Sequence, residues 1–256
     1  MPKKAKNMNF QLALVITVVF LAGILTAVEL MEPQVIVKQP INVVRNLTAP
    51  QVNGGNHIEM LVPAVDKEGN GVATKLLVDA QQGSGKILTN IDILLFWVDT
   101  QQSIQTARNV AENATNIDAS RLDITYAIDA DNVTLIGGPS AGAALTIATV
   151  GALKGVQPNT GVAITGTINP DGSIGKVGSV YEKGNAVKRS GATTFLVPVG
   201  ESTESIVRPL EKCTENPGFT YCETVYTETH TNIGESLGIK VVEVANILQA
   251  IPYFFD

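Results

Sequence analysis

Apolar positions fall along this chain in runs of different period, and each period predicts a different element. From Phe10 to Val28 the chain reads FQLALVITVVFLAGILTAV without a charge. As a helix that stretch is about 28 Å long, close to the thickness of a bilayer core. Shorter apolar stretches bounded by turn residues predict strands: IEMLVPAV and GVATKLLVDA around a DKEGNG turn, then LDITYAI, NVTLIG, GVAITGTI, TTFLVPV and IKVVEV. QQGSGK reads as a turn, and ILTNIDILLFWV continues the β pattern or opens a helix. Helical spacing runs from Ser103 to Asn113, with Ile104, Ala107, Val110 and Ala111 on one face. AGAALTIATVGALKG predicts a helix stopping at Gly155, SVYEKGNAVKRSG another with a glycine stop, and ANILQAIPYF a last one. Between two of these, NPDGSIGKVG reads as a hairpin-like turn. Strands and helices in mixed order predict an α+β (mixed α/β) domain with several short sheets and helices, preceded by one N-terminal transmembrane helix.

The layout follows. Residues 1–31 form a cytoplasmic basic tip and transmembrane anchor, 32–56 a stalk or linker, and 57–256 the folded domain with a Cys213–Cys222 loop. Lys3, Lys4 and Lys6 precede the apolar run and Glu29 and Glu32 follow it. The positive-inside rule then leaves the N-terminus in the cytoplasm and the domain outside, held to the membrane through residues 10–28. The alternative is a cleaved signal peptide and a secreted domain. Against it, the run exceeds the ~7–15 apolar residues of such segments, and no clean A-x-A site follows. The stalk carries three prolines and ends in NGGN, and His57 beside it reads as a loop residue.

Composition supports a packed core. Of 256 residues 45% are hydrophobic and 16% charged, at a net charge of −6. Three of the 18 basic residues lie in the N-terminal tip, leaving 15 against 24 acidic residues. A body this acidic repels phosphate backbones and argues against nucleic acid as a partner. The two cysteines, Cys213 and Cys222, stand nine apart in CTENPGFTYC, where export favours a disulfide. Asn46, Asn113 and Asn132 begin N-x-[ST] tripeptides, which carry little weight alone. No metal-ligand cluster is visible, and no cofactor is called for.

The candidate chemistry sits in VTLIGGPSAGAAL. Ser140 stands where a helix begins, beside unpaired amides and the positive end of the dipole. Gly137 and Gly138 let the backbone approach a substrate, with Gly138 a candidate for the oxyanion side. The plainest reading is a serine cap after a Pro turn. GPSAG also fits G-x-S-x-G, and Asp171 and His230 follow in the order a Ser-His-Asp esterase requires. His230, however, lies in the polar, Thr-rich THTN. A lysine serves as base instead when burial lowers its pKa toward neutrality. Lys183 fits, on a predicted helix beside Val180, Ala186 and Val187. Lys176 lies in a turn and Lys188 beside Arg189, both positions expected in solvent.

GGPSAGAAL together with GVAITGTINPDGSIGKVGSVYEKGNAVKRSGATTFLVP resembles the proteolytic domain of the Lon family, most densely from Val133 to Pro198. The resemblance implies a Lon-protease-like fold and a Ser–Lys dyad. The family's P-S-A-G turn is matched by Pro139 to Gly142, and its G-G-x-x-x-K by Gly178 to Lys183. Ser140 and Lys183 are then the catalytic pair. Thr165, in Thr165-Gly166-Thr167, is the candidate for orienting the lysine. Two departures stand out: Gly138 and Thr167 occupy positions where the family often has carboxylates. GSGK is not a nucleotide loop, because Ala80 replaces its first glycine and Ile87 its Ser/Thr. The expectation is an ATP-independent serine endopeptidase cleaving unstructured polypeptides outside the cytosol. Family members form rings, which is compatible with a homo-oligomer. The other readings are the esterase, a catalytically inactive, membrane-tethered binding module and, least favoured for want of a nucleotide loop, a small-molecule kinase.

Overall fold

The computed structural model describes residues 55–89, 98–129 and 139–255. The anchor, most of the stalk, NVTLIG and Gly138 lie outside the described residues. Among the described residues no helix is long and apolar enough to cross a membrane.

Three antiparallel strands carry the larger core. Strands β1 (Asn56–Val65) and β2 (Gly71–Gln82) pair around the expected turn, with Val65 opposite Gly71. Asp66 closes that turn by accepting from the amides of Glu68 and Asn70, at 3.1 and 2.7 Å. Beyond them β4 (Leu122–Asp129) pairs with β2, and β3 (Ile87–Thr89) adds to β4 in parallel, giving the order β1-β2-β4-β3. Alternation decides the buried face: Leu76, Val78 and Ala80 point inward from β2, and Leu122, Ile124 and Tyr126 from β4. His57 lies within β1 rather than in a loop, because its backbone pairs opposite Asp79. Its ring is exposed and bonds the Asp79 carboxylate at 2.6 Å, which raises its pKa. The GSGK turn is closed by Asp123, whose carboxylate accepts from the amides of Ser84 and Lys86.

Helix α1 (Val98–Thr115) lays Ile104, Ala107, Val110 and Ala111 into this core, as the spacing predicts. Helix α2 (Gly142–Lys154) has no polar face at all, and every residue from Gly142 to Leu153 is buried. A helix apolar all round must be central. It packs between α1 and the sheet, and its two threonines bond their own preceding turn at Gly142 and Leu145. Gly155 ends it in the left-handed conformation.

GVAITGTI, expected as one strand, is two. Gly166 at φ +148° breaks it into β5 (Val162–Ile164) and β6 (Thr167–Ile168), which belong to different sheets. β6 pairs with β7 (Ile174–Gly175) across the NPDG turn. β5 joins β8 (Thr194–Pro198) and β11 (Lys240–Val244) in a parallel sheet ordered β11-β8-β5. Helix α3 (Val180–Arg189) packs on that sheet through Val180 and Val187, in a second core with Phe195 and Leu237. α3 also crosses the start of β2 so closely that a methyl at Gly71 would coincide with the Glu182 carbonyl. Arg189 fastens the other end of the helix to the Gly71 carbonyl at 2.5 Å. The fold ends with α4 (Ile233–Leu237) and α5 (Ile247–Phe254).

The Cys213–Cys222 segment is not a loop. It is the outer part of a two-stranded arm, β9 (Thr203–Asn216) and β10 (Phe219–Asn232), whose strands each extend about 45 Å at ~3.3 Å per residue. The cysteines sit opposite each other and are joined by a disulfide. Leu210, Tyr221 and Tyr226 on the arm are exposed.

Candidate active site

Ser140 lies in a single 3₁₀ turn, Pro139–Ala141, directly before α2. Its place is fixed from behind. The Ser140 carbonyl accepts from the Gly166 amide at 3.0 Å and from the Thr165 hydroxyl at 3.3 Å. The Ala143 amide returns a bond to the Gly166 carbonyl at 3.0 Å. The Thr165 amide in turn donates to the Leu196 carbonyl of β8. Gly142 permits this contact, since a Cβ there would stand 2.7 Å from the Ile168 amide nitrogen, closer than such atoms approach. The serine corner is therefore bolted to the β5–β6 break. That is the structural use of the Thr165-Gly166-Thr167 segment.

Lys183 comes from one turn inside α3, and its side chain is only 4% exposed. Burial drives the amine down from 10.5 to about 8, while the carboxylates of Glu201 and Glu182 act in the opposite sense. Ser140 and Lys183 line one cleft of about 390 Å³. Its walls are Val62 to Val65 at the end of β1, Thr167, and the Lys176–Ser179 segment leading into α3. Ser179 stands at φ +57°, a left-handed conformation that costs a residue with a Cβ about 1 kcal/mol. It caps α3 without a side-chain bond.

Two glutamates that sequence reasoning did not single out hold this segment. Both oxygens of Glu201 share the Val177 amide, at 3.1 and 3.2 Å. Glu204 accepts from the Tyr181 amide at 3.2 Å, serving an N-terminal donor of α3 that Ser179 leaves open. Burial raises the pKa of each carboxyl. At Glu201 the Val177 amide and Lys176 and Lys183 oppose it; at Glu204 the neighbouring Glu182 adds to it.

The esterase constellation is not assembled. Asp171 lines a different cavity of about 770 Å³ with Asn113, Asn116, Ser173, Asn246 and Leu248, and its carboxylate is engaged by Ser173. His230 is exposed on β10 and bonded to Ser205 at 3.0 Å. The larger cavity is lined by neither Ser140 nor Lys183; both line the smaller one. Lys176 is exposed, as expected, yet it lines the Ser140 cleft. Among the described residues the one metal-type grouping is Glu211 with Cys213 and Cys222, whose thiols the disulfide consumes.

The stretch that holds Ser140 and Lys183 is similar to known proteins. Residues 104–225 match the family described as the Lon protease (S16) C-terminal proteolytic domain. The Lon protease of Mycoplasma genitalium is 32% identical over 114 residues, which are 41% of this chain and 14% of that protein. That of Acinetobacter baumannii is 32% identical over 129 residues, 47% of this chain and 15% of the relative. A shorter match, 44% identical over 61 residues, covers 24% of this chain and 8% of the Lon protease of Malacoplasma penetrans. The matched stretches thus span at most about a sixth of these relatives' own length. The class to which these similarities point is that of the serine peptidases. Within it, residues 104–225, just under half of this chain, are similar to the proteolytic domain of the Lon family.

Proposed function

We propose that the chain is a serine endopeptidase working through a Ser140–Lys183 dyad on unstructured polypeptides. The observation that carries this reading is the buried lysine, its amine lowered to about 8, lining the cleft of Ser140. Neutral Lys183 takes the Ser140 proton as Oγ attacks the peptide carbonyl carbon. The tetrahedral oxyanion is held by amides at the start of α2. Because Gly166 occupies the Ala143 amide, the donors are those ahead of it in the turn. The Lys183 ammonium then gives its proton to the leaving amine. Water, deprotonated by the same lysine, hydrolyses the acyl-enzyme. Thr165 donates its hydroxyl proton to the Ser140 carbonyl and so ties the β5–β6 break to the serine corner, which supports an orienting role at the site. This chemistry needs no nucleotide or metal.

The setting belongs to the same proposal. A disulfide-stapled arm suits an oxidising compartment. With the charge-free run at residues 10–28, it supports a tethered domain outside the cytosol.

The pH dependence tests the dyad. A base with its pKa near 8 must be neutral to act, so kcat/KM on an unfolded polypeptide should rise about tenfold per pH unit below 8 and level above it. A profile that is flat from pH 6 to 9, or half-maximal near 6.5 as for a histidine, contradicts Lys183 as the base.

A further inference from the structure

The positions flanking Ser140 and Thr165 where a carboxylate could have served the dyad are Gly138 and Thr167, and neither is acidic. A carboxylate nevertheless reaches the lysine side from another element. Glu201 follows β8 and lies 18 residues beyond Lys183 in sequence. It grips the Val177 amide, in the cleft wall six residues before the lysine, with both oxygens. Glu182 is on α3, Lys176 on the connection from β7, Glu201 on the turn after β8 and Glu204 on β9. The β1 residues that line the cleft, Val62 to Val65, are uncharged. Of the carboxylates, Glu204 is committed to the Tyr181 amide, and Glu182 heads the helix beside the lysine. Glu201 alone holds the cleft wall, and its charge, together with that of Glu182, acts on Lys183.

We propose that Glu201 is a third, positioning member of the site: its carboxylate fixes the segment entering α3 through the Val177 amide and supplies the negative charge that steadies the Lys183 ammonium formed when Ser140 is deprotonated. It touches no reacting atom. No ion pair joins the two side chains, so Glu201 acts through the field and through the fold of the wall. The inference rests on the dyad reading but is separable from it in experiment.

The test is a titration of Lys183 itself in the full chain, by NMR of 13Cε-labelled lysine with the resonance assigned from a Lys183→Arg chain. Glu201→Gln keeps an acceptor for Val177 and removes the charge. Its Lys183 midpoint should fall by on the order of half a unit. The acid limb of kcat/KM should move the same way, and the plateau of kcat should drop roughly threefold to tenfold with little change in KM. An unshifted midpoint in Glu201→Gln overturns the inference, whatever the activity. A shifted midpoint in a chain whose wild type cleaves nothing upholds the charge coupling and removes the dyad reading instead. Should the Gln chain not fold, Glu201→Asp, which draws the charge back by one methylene, carries the test. Its midpoint should also lie below the wild-type value, and equality overturns the inference.

Discussion

A chain with Lys183 replaced by methionine is expected to lose cleavage of unfolded polypeptide by about a thousandfold or more. Methionine nearly matches the lysine stem in length and is at home among Val180, Ala186 and Val187. What it removes is the amine. Without it Ser140 loses the one buried base that lines its cleft among the described residues: the Thr165 hydroxyl is engaged with the Ser140 carbonyl, Lys176 is exposed, and His230 and Asp171 are elsewhere. Ser140→Ala should bring activity equally low, and the double variant no lower, because nucleophile and base act as one unit. Retention of a tenth of wild-type turnover in Lys183→Met would reject the dyad.

The same substitution should make the folded chain more stable. Lys183 titrates near 10.5 when unfolded and near 8 when folded. Between those values the unfolded chain binds more protons, so stability rises with pH from about 8 to 10.5. Below 8 the folded chain carries a buried ammonium at a cost of roughly 3 kcal/mol. Lys183→Met relieves that cost. In urea unfolding at pH 7 it should gain up to about 3 kcal/mol, and the gain should vanish by pH 10.5. An equal or lower stability at pH 7 contradicts a destabilising buried amine. Opposite signs for stability and activity also distinguish loss of a base from damage to the fold.

The candidate pair was legible in the sequence because the pieces that carry it are local. Pro139 to Gly142 form one turn, and Lys183 lies on an amphipathic helix whose apolar positions are read directly by spacing. Most strands and helices of the domain were legible for the same reason. Glu201 and Glu204 were not. Nothing near them in GESTES marks them, and their partners, Val177 and Tyr181, lie 24 and 23 residues earlier. The arm escaped for a different reason. Among its described side chains the two-stranded ribbon buries none, so TETHTN shows no inside–outside alternation to read. The break in GVAITGTI depends on φ at Gly166, which a residue type permits but does not announce. Thr165 was found by position, but its bond to the Ser140 carbonyl became visible only once the corner was built.

The central claim is that Ser140 is made nucleophilic by an uncharged Lys183. Its most direct measurement is covalent labelling with a fluorophosphonate probe at pH 8.5, read as intact mass and peptide map in wild-type and Lys183→Met chains. The expected result is a single adduct on Ser140 in the wild type, forming at least a hundredfold more slowly in the variant. No adduct on Ser140, or equal labelling of both chains, contradicts it.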